Sequence, residues 1–156
     1  MTMKRIHCYL LPLLLCFALG GVASLLQTSA LLEWYPYLSK PALTPPGIVF
    51  PIAWSLLYAC MGISAGLVLS TCTTKRHVAM IFWYLQLALN FLWSILFFAL
   101  RNPTLALLDI AVLDLLVVLY IVFSARVNRA AAWLFVPYLC WILFATYLNA
   151  YIQIAN

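Results

Sequence analysis

Trp34-Tyr35-Pro36-Tyr37-Leu38-Ser39-Lys40-Pro41-Ala42-Leu43-Thr44-Pro45-Pro46 is the one long polar-aromatic interruption in a chain that is otherwise nearly all hydrocarbon. Its four prolines cannot continue a helix, because each fixes its own φ and lacks an amide proton. The stretch therefore separates the apolar run before it from the one after it. Its aromatics are too many for an ordinary flexible linker. A stiff loop of this kind, joining two apolar helices, predicts a lid or wall for something bound between them.

The rest of the chain fixes the class. Of its 156 residues, 68% are hydrophobic and only 7% charged, with a mean hydropathy of +1.11. A soluble domain carries roughly 25% charged residues. Five apolar runs stand out, at about 6–26, 47–69, 78–100, 105–125 and 130–152. Each has about the 20 residues that a helix needs to cross a bilayer core. Strands of a membrane barrel would be about half as long and would alternate apolar with polar residues. The expected architecture is an all-α, five-helix integral membrane bundle. It forms a single domain over residues 1–156, with no room for a soluble module.

The first run has one competing reading. Lys4 and Arg5 precede it, and Gly21-Val22-Ala23 has the look of a signal-peptide cleavage site. Cleavage would remove the small face Gly20-Gly21-x-x-Ser24, which suits close helix contact in lipid. A retained first helix is the simpler reading.

The basic residues predict an orientation. Lys4, Arg5, Lys75, Arg76, Arg126 and Arg129 fall on one side, and only Lys40 and Arg101 on the other. By the positive-inside rule the N-terminus is cytoplasmic, and the proline loop and C-terminus face outward. The net charge of +5 is accounted for by this anchoring, so it is no sign of nucleic-acid binding. The five cysteines form no CxxC, and four lie within spans, where a thiol acts as a small hydrophobe. His7 and His77 have no partner at metal-ligand spacing.

Polar groups inside the spans narrow the function. In the third, Trp83, Gln86, Asn90, Trp93 and Phe97 recur every three or four residues, on one helix face. The second adds Trp54, Tyr58, Met61 and Ala65. The fifth adds Tyr138, Trp141, Ala145, Leu148 and Ile152. Such stripes either glue helices together or line an apolar pocket with a few polar anchors. Flat aromatic walls suit a flat aromatic ligand. Asp109 and Asp114, five residues apart, point about 140° from each other on a helix and are no acid–base pair. Asp109 could pair with Arg101 or cap a neighbouring helix. Asp114 lies deeper and needs a hydrogen-bond partner or a proton. Gly62-x-x-x-Gly66 suits either a dimer or packing within one bundle.

Several of these residues fall in a known order. Trp34-Tyr35, Leu38, Lys40-Pro41 and Pro45-Pro46 are followed by Trp54, Leu57-Tyr58 and Met61-Gly62. Then come Gln86 through Asn90, Trp93, Phe97-Phe98 and Asp109, and finally Pro137-Tyr138, Trp141 and Phe144 through Asn149. Over about residues 20–149 this resembles the TspO/MBR family. Its members are the tryptophan-rich sensory proteins and the mitochondrial translocator protein, or peripheral-type benzodiazepine receptor.

The resemblance implies a five-helix bundle, often a homodimer, that binds porphyrins such as protoporphyrin IX and isoquinoline or benzodiazepine drugs. It implies a role in tetrapyrrole transport, sensing or stress regulation, or in light-dependent porphyrin degradation. Carried over by position, Trp54, Tyr58, Asn90, Trp93, Trp141, Ala145 and Leu148 resemble the pocket lining. Trp34, Lys40, Pro41, Pro45 and Pro46 resemble its cover. No catalytic residue, metal or required cofactor is expected; the porphyrin is the ligand. Two departures stand out. Leu43 occupies a position where the family usually has tryptophan. No basic residue follows the last tyrosines, Tyr147 and Tyr151, which speaks against the sterol motif and so against cholesterol. A bacterial member in the cell membrane is the expected identity.

Three functions follow as alternatives. The first is tetrapyrrole binding in transport or sensing. The second is photochemical porphyrin breakdown, which would rest on the ligand's own chemistry because no dedicated acid, base or metal is present. The third is a structural or partner-binding role in which the stripes only pack helices.

Overall fold

In the computed structural model, which describes residues 3–156 and side chains from residue 6 on, each of the five apolar runs is a helix. α1 covers Met3–Glu33, α2 Val49–Ser70, α3 Arg76–Ser94, α4 Pro103–Ala125 and α5 Arg129–Ala155. All five are long and apolar enough to cross a membrane, and no strand occurs among the described residues. The expected fold class holds. Lys4 and Arg5, two cations of the orientation argument, have side chains outside the described residues.

Two helix starts follow local chemistry. Asn102 caps α4 by accepting from the Leu105 amide at 3.0 Å, with Pro103 in the first turn. Asn128 caps α5 by accepting from the Ala130 and Ala131 amides at 2.9 and 3.3 Å. Pro12 and Pro137 lie inside α1 and α5, as membrane helices tolerate.

Two boundaries differ from the apolar runs. α1 continues past residue 26 to Glu33 because its polar end is hydrogen-bonded in place. Thr28 Oγ1 donates to the Ser24 carbonyl at 3.2 Å, and Gln27 Nε2 donates to Ser94 Oγ at 3.3 Å. The third span does not end as a regular helix. It closes in a π turn over Ile95–Ala99, where the Leu100 amide bonds the Ile95 carbonyl at 2.8 Å. The wider turn turns two successive side chains inward: Phe97 and Phe98 are 2% and 8% exposed. Arg101 follows with φ 50°, the left-handed region usually left to glycine.

Small residues set how closely α1 lies on α2. A Cβ on Gly62 would meet the Leu13 backbone Cα at 2.8 Å, and one on Gly66 would overlap the Tyr9 ring. A Cβ on Gly20 would overlap the Tyr58 ring, whereas Gly21 faces open space. Thus the Gly62/Gly66 pair is used within the chain, against its own first helix.

The main core gathers residues of all five helices, among them Cys16, Met61, Trp83, Leu113, Phe135 and Tyr138. Most of its polar groups are bonded internally, with Gln86 Oε1 left unpartnered. Ser64 Oγ lies 2.7 Å from the Tyr120 hydroxyl and donates to the Ala131 carbonyl at 2.8 Å. Trp83 is fully buried, with its Nε1 donating to the Met61 carbonyl at 3.1 Å. The aspartates diverge as their spacing requires. Arg101 pairs at 3.0 Å with Glu33, and not with Asp109. Asp109 is buried with Oδ2 unpartnered; Asp114 Oδ2 accepts from Thr146 Oγ1 at 2.9 Å, and its Oδ1 is unpartnered.

Candidate functional site

The middle turns of α2, α3 and α5 meet inside the bundle, and the three sequence stripes converge there. Tyr58 donates to Asn90 Oδ1 at 3.4 Å, and Asn90 Nδ2 donates to the Tyr138 hydroxyl at 3.0 Å. One amide thus joins α2, α3 and α5. Trp54 lies over this group, 5.3 Å from the Tyr58 ring and 6.3 Å from the Tyr138 ring. Trp93, Trp141 and Ala145 pack against the same core as half-buried side chains. Leu148 is buried on the same face of α5.

Trp93 bridges to a second cluster. Its ring stacks on Phe97 at 5.0 Å, and its Nε1 donates to Asn149 Oδ1 at 3.1 Å. Asn149 in turn donates to the Pro103 carbonyl at 2.9 Å. Trp34, Tyr35 and Leu38 of the loop pack onto this second cluster with Phe97, Phe98 and Ile152.

The loop is braced at several points. A 3-10 turn covers Tyr35–Tyr37. Lys40 folds back so that Nζ donates to the Tyr35 carbonyl at 2.9 Å and sits 4.6 Å from the Tyr35 ring centre. Burial pushes the Tyr35 hydroxyl pKa up. Asn156 exchanges two hydrogen bonds with the Ser39 backbone, at 2.9 and 3.2 Å. The Glu33–Arg101 pair ties the end of α1 to the connector after the π turn.

Of the cover residues, Trp34 touches the clusters through Phe97 at 5.6 Å. Pro41 is buried, Pro45 half-buried and Pro46 exposed. Lys40 is spent on its own loop. Leu43 is 67% exposed, so its side chain forms no part of either cluster.

Trp141 is placed apart from the amide group. Its ring meets Phe50 at 5.9 Å and Phe144 at 6.1 Å. It lines a groove of about 590 Å³ between α2 and α5, together with Leu56, Leu57, Cys60, Pro137 and Phe144 among others. Two residues absent from the pocket list derived from sequence prove central: Tyr138, the partner of Asn90, and Asn149, the partner of Trp93. Both carried a signal. Tyr138 lies on the stripe of Trp141, and Asn149 sits one turn beyond Ala145. No group of three or more possible metal ligands occurs among the described residues.

Fold and site define a class: a multi-pass membrane protein whose aromatic and amide side chains gather between three helices, with a proline-braced loop packed on a second aromatic cluster at one end. The TspO/MBR family model matches residues 12–155, so the chain belongs to that family. It is 40% identical to the tryptophan-rich protein TspO of Archaeoglobus fulgidus over 144 residues, 92% of this chain and 94% of that one. It is 38% identical to the tryptophan-rich protein TspO of Chlorobaculum tepidum over 148 residues, 94% of each chain. It is 37% identical to the human translocator protein over 121 residues, 76% of this chain and 72% of that one.

Proposed function

We propose that this protein binds a tetrapyrrole of the protoporphyrin IX type between α2, α3 and α5, and acts in porphyrin transport, sensing or stress regulation. One observation carries the reading: Asn90 holds Tyr58 and Tyr138 together beneath Trp54, midway along the bundle. Aromatic faces offer a flat ligand stacking surface, and the amide and hydroxyls offer it directional hydrogen bonds. The three hydroxyl and amide groups bond one another in this structure, so a ligand takes over part of their bonding. Membership of a family with sensory and translocator names supports the same reading. Isoquinoline and benzodiazepine drugs, flat and mostly apolar, suit the same walls.

The test is spectroscopic. Protoporphyrin IX mixed with the detergent-purified protein is expected to show a saturable Soret shift that an isoquinoline drug reverses. A spectrum matching that in empty micelles contradicts the proposal. Illumination then separates binding from breakdown: bleaching faster than in empty micelles assigns the degradative role.

A further inference from the structure

We infer that the groove between α2 and α5 is a lateral doorway, through which a flat apolar ligand dissolved in the bilayer reaches the aromatic–amide cluster. The inference rests on the binding role proposed above and adds the route.

Three observations lead to it. First, the groove lies along two membrane spans. Its lining runs over Ala53 to Cys60 on α2 and Pro137 to Phe144 on α5, about 10 Å of helix each. Leu56 and Cys140 on its rim are exposed on the bundle surface, which in a spanning helix is the lipid side. Its volume of about 590 Å³ is in the range of small-molecule sites.

Second, the groove shares a wall with the core that holds the cluster. Trp141 is a groove wall and also packs on the core that holds Tyr58 and Tyr138. Leu57, a buried lining residue of the groove, belongs to the same core. Pro137 gives α5 a point of weakness there, since it cannot bond the carbonyl four residues back.

Third, the alternative way in is fastened. The loop end is held by Asn156 on Ser39, by Glu33 on Arg101 and by Trp34 on Phe97. An apolar ligand also concentrates in the bilayer, so the lipid side is where it is found.

The full chain in lipid vesicles, with protoporphyrin IX as probe and stopped-flow tryptophan quenching as readout, tests the doorway. Cys140→Phe, which narrows the groove, is expected to slow association and dissociation alike by about tenfold, within the range seen among mutants of one binding surface. The equilibrium affinity then stays unchanged. Leu56→Ala, which widens it, is expected to speed both. Asn156→Ala, which frees the loop, is expected to change neither. Rates untouched by both groove variants overturn the doorway, as does acceleration by Asn156→Ala alone. Should Cys140→Phe not fold, the sign of the Leu56→Ala effect decides. Absence of saturable quenching in the unaltered protein overturns the binding role, and the doorway with it.

Discussion

Asn90 does more than any other single side chain at this site. Its amide accepts from Tyr58 and donates to Tyr138, so its loss strands two buried hydroxyls. Asn90→Ala is expected to cost about 1–2 kcal/mol, in the range of polar contacts between membrane helices. Thermal unfolding in detergent checks this. Tyr58→Phe removes only the longer bond, at 3.4 Å, and is expected to cost less than Tyr138→Phe, which removes the one at 3.0 Å. Arg101 offers a contrast. Its left-handed backbone costs about 1–2 kcal/mol, whereas its exposed pair with Glu33 contributes about 0–1 kcal/mol. Arg101→Gly is therefore expected to leave stability unchanged or raised, and Arg101→Val to lower it. Residue identity alone showed that Asn90 is unusual in a span. It did not show which hydroxyls it joins, because that depends on how α2 and α5 are rotated against α3.

At the scale of elements, periodicity carried most of the information. The stripes on α2, α3 and α5 turn inward as their three-and-four spacing requires. Met61, Ala65, Trp83 and Gln86 are all buried. Two features escaped it. The π turn at Ile95–Ala99 depends on one extra residue in a helix, which apolarity does not register. The extension of α1 to Glu33 depends on a partner, Ser94, on another helix. The glycine pair was ambiguous between two contacts until its neighbours were known. Since Leu13 and Tyr9 fill the space above Gly62 and Gly66, Gly66→Leu is expected to separate α1 from α2. An overpacking cost of about 1–3 kcal/mol follows. Gly21→Ala, facing open space, is expected to be neutral or slightly stabilising. The two substitutions, compared by unfolding in detergent, separate packing from helix propensity.

For the whole molecule, the class was legible from composition, since 7% charged residues leave no soluble surface. The orientation was argued from charge alone, and Cys72 makes it testable. Cys72 is exposed in the connector between α2 and α3. With the positive-inside orientation, a membrane-impermeant maleimide is expected to label it in inverted vesicles and not in intact cells. Labelling from outside would reverse the topology. The candidate site was legible as a set of inward faces, because that much is periodic. Its division into an amide-centred cluster, a second cluster under the loop and a groove holding Trp141 was not, because three helices must be placed together to produce it.

The meeting of α2, α3 and α5 is the proposed ligand site. The direct measurement is a protoporphyrin IX titration of the detergent-purified protein followed by tryptophan quenching. Saturable quenching is expected, with affinity weakened by about tenfold or more, equivalent to about 1.4 kcal/mol, when Trp141→Phe and Asn90→Ala are combined. Quenching that never saturates, or a curve that the double substitution leaves unchanged, would contradict it.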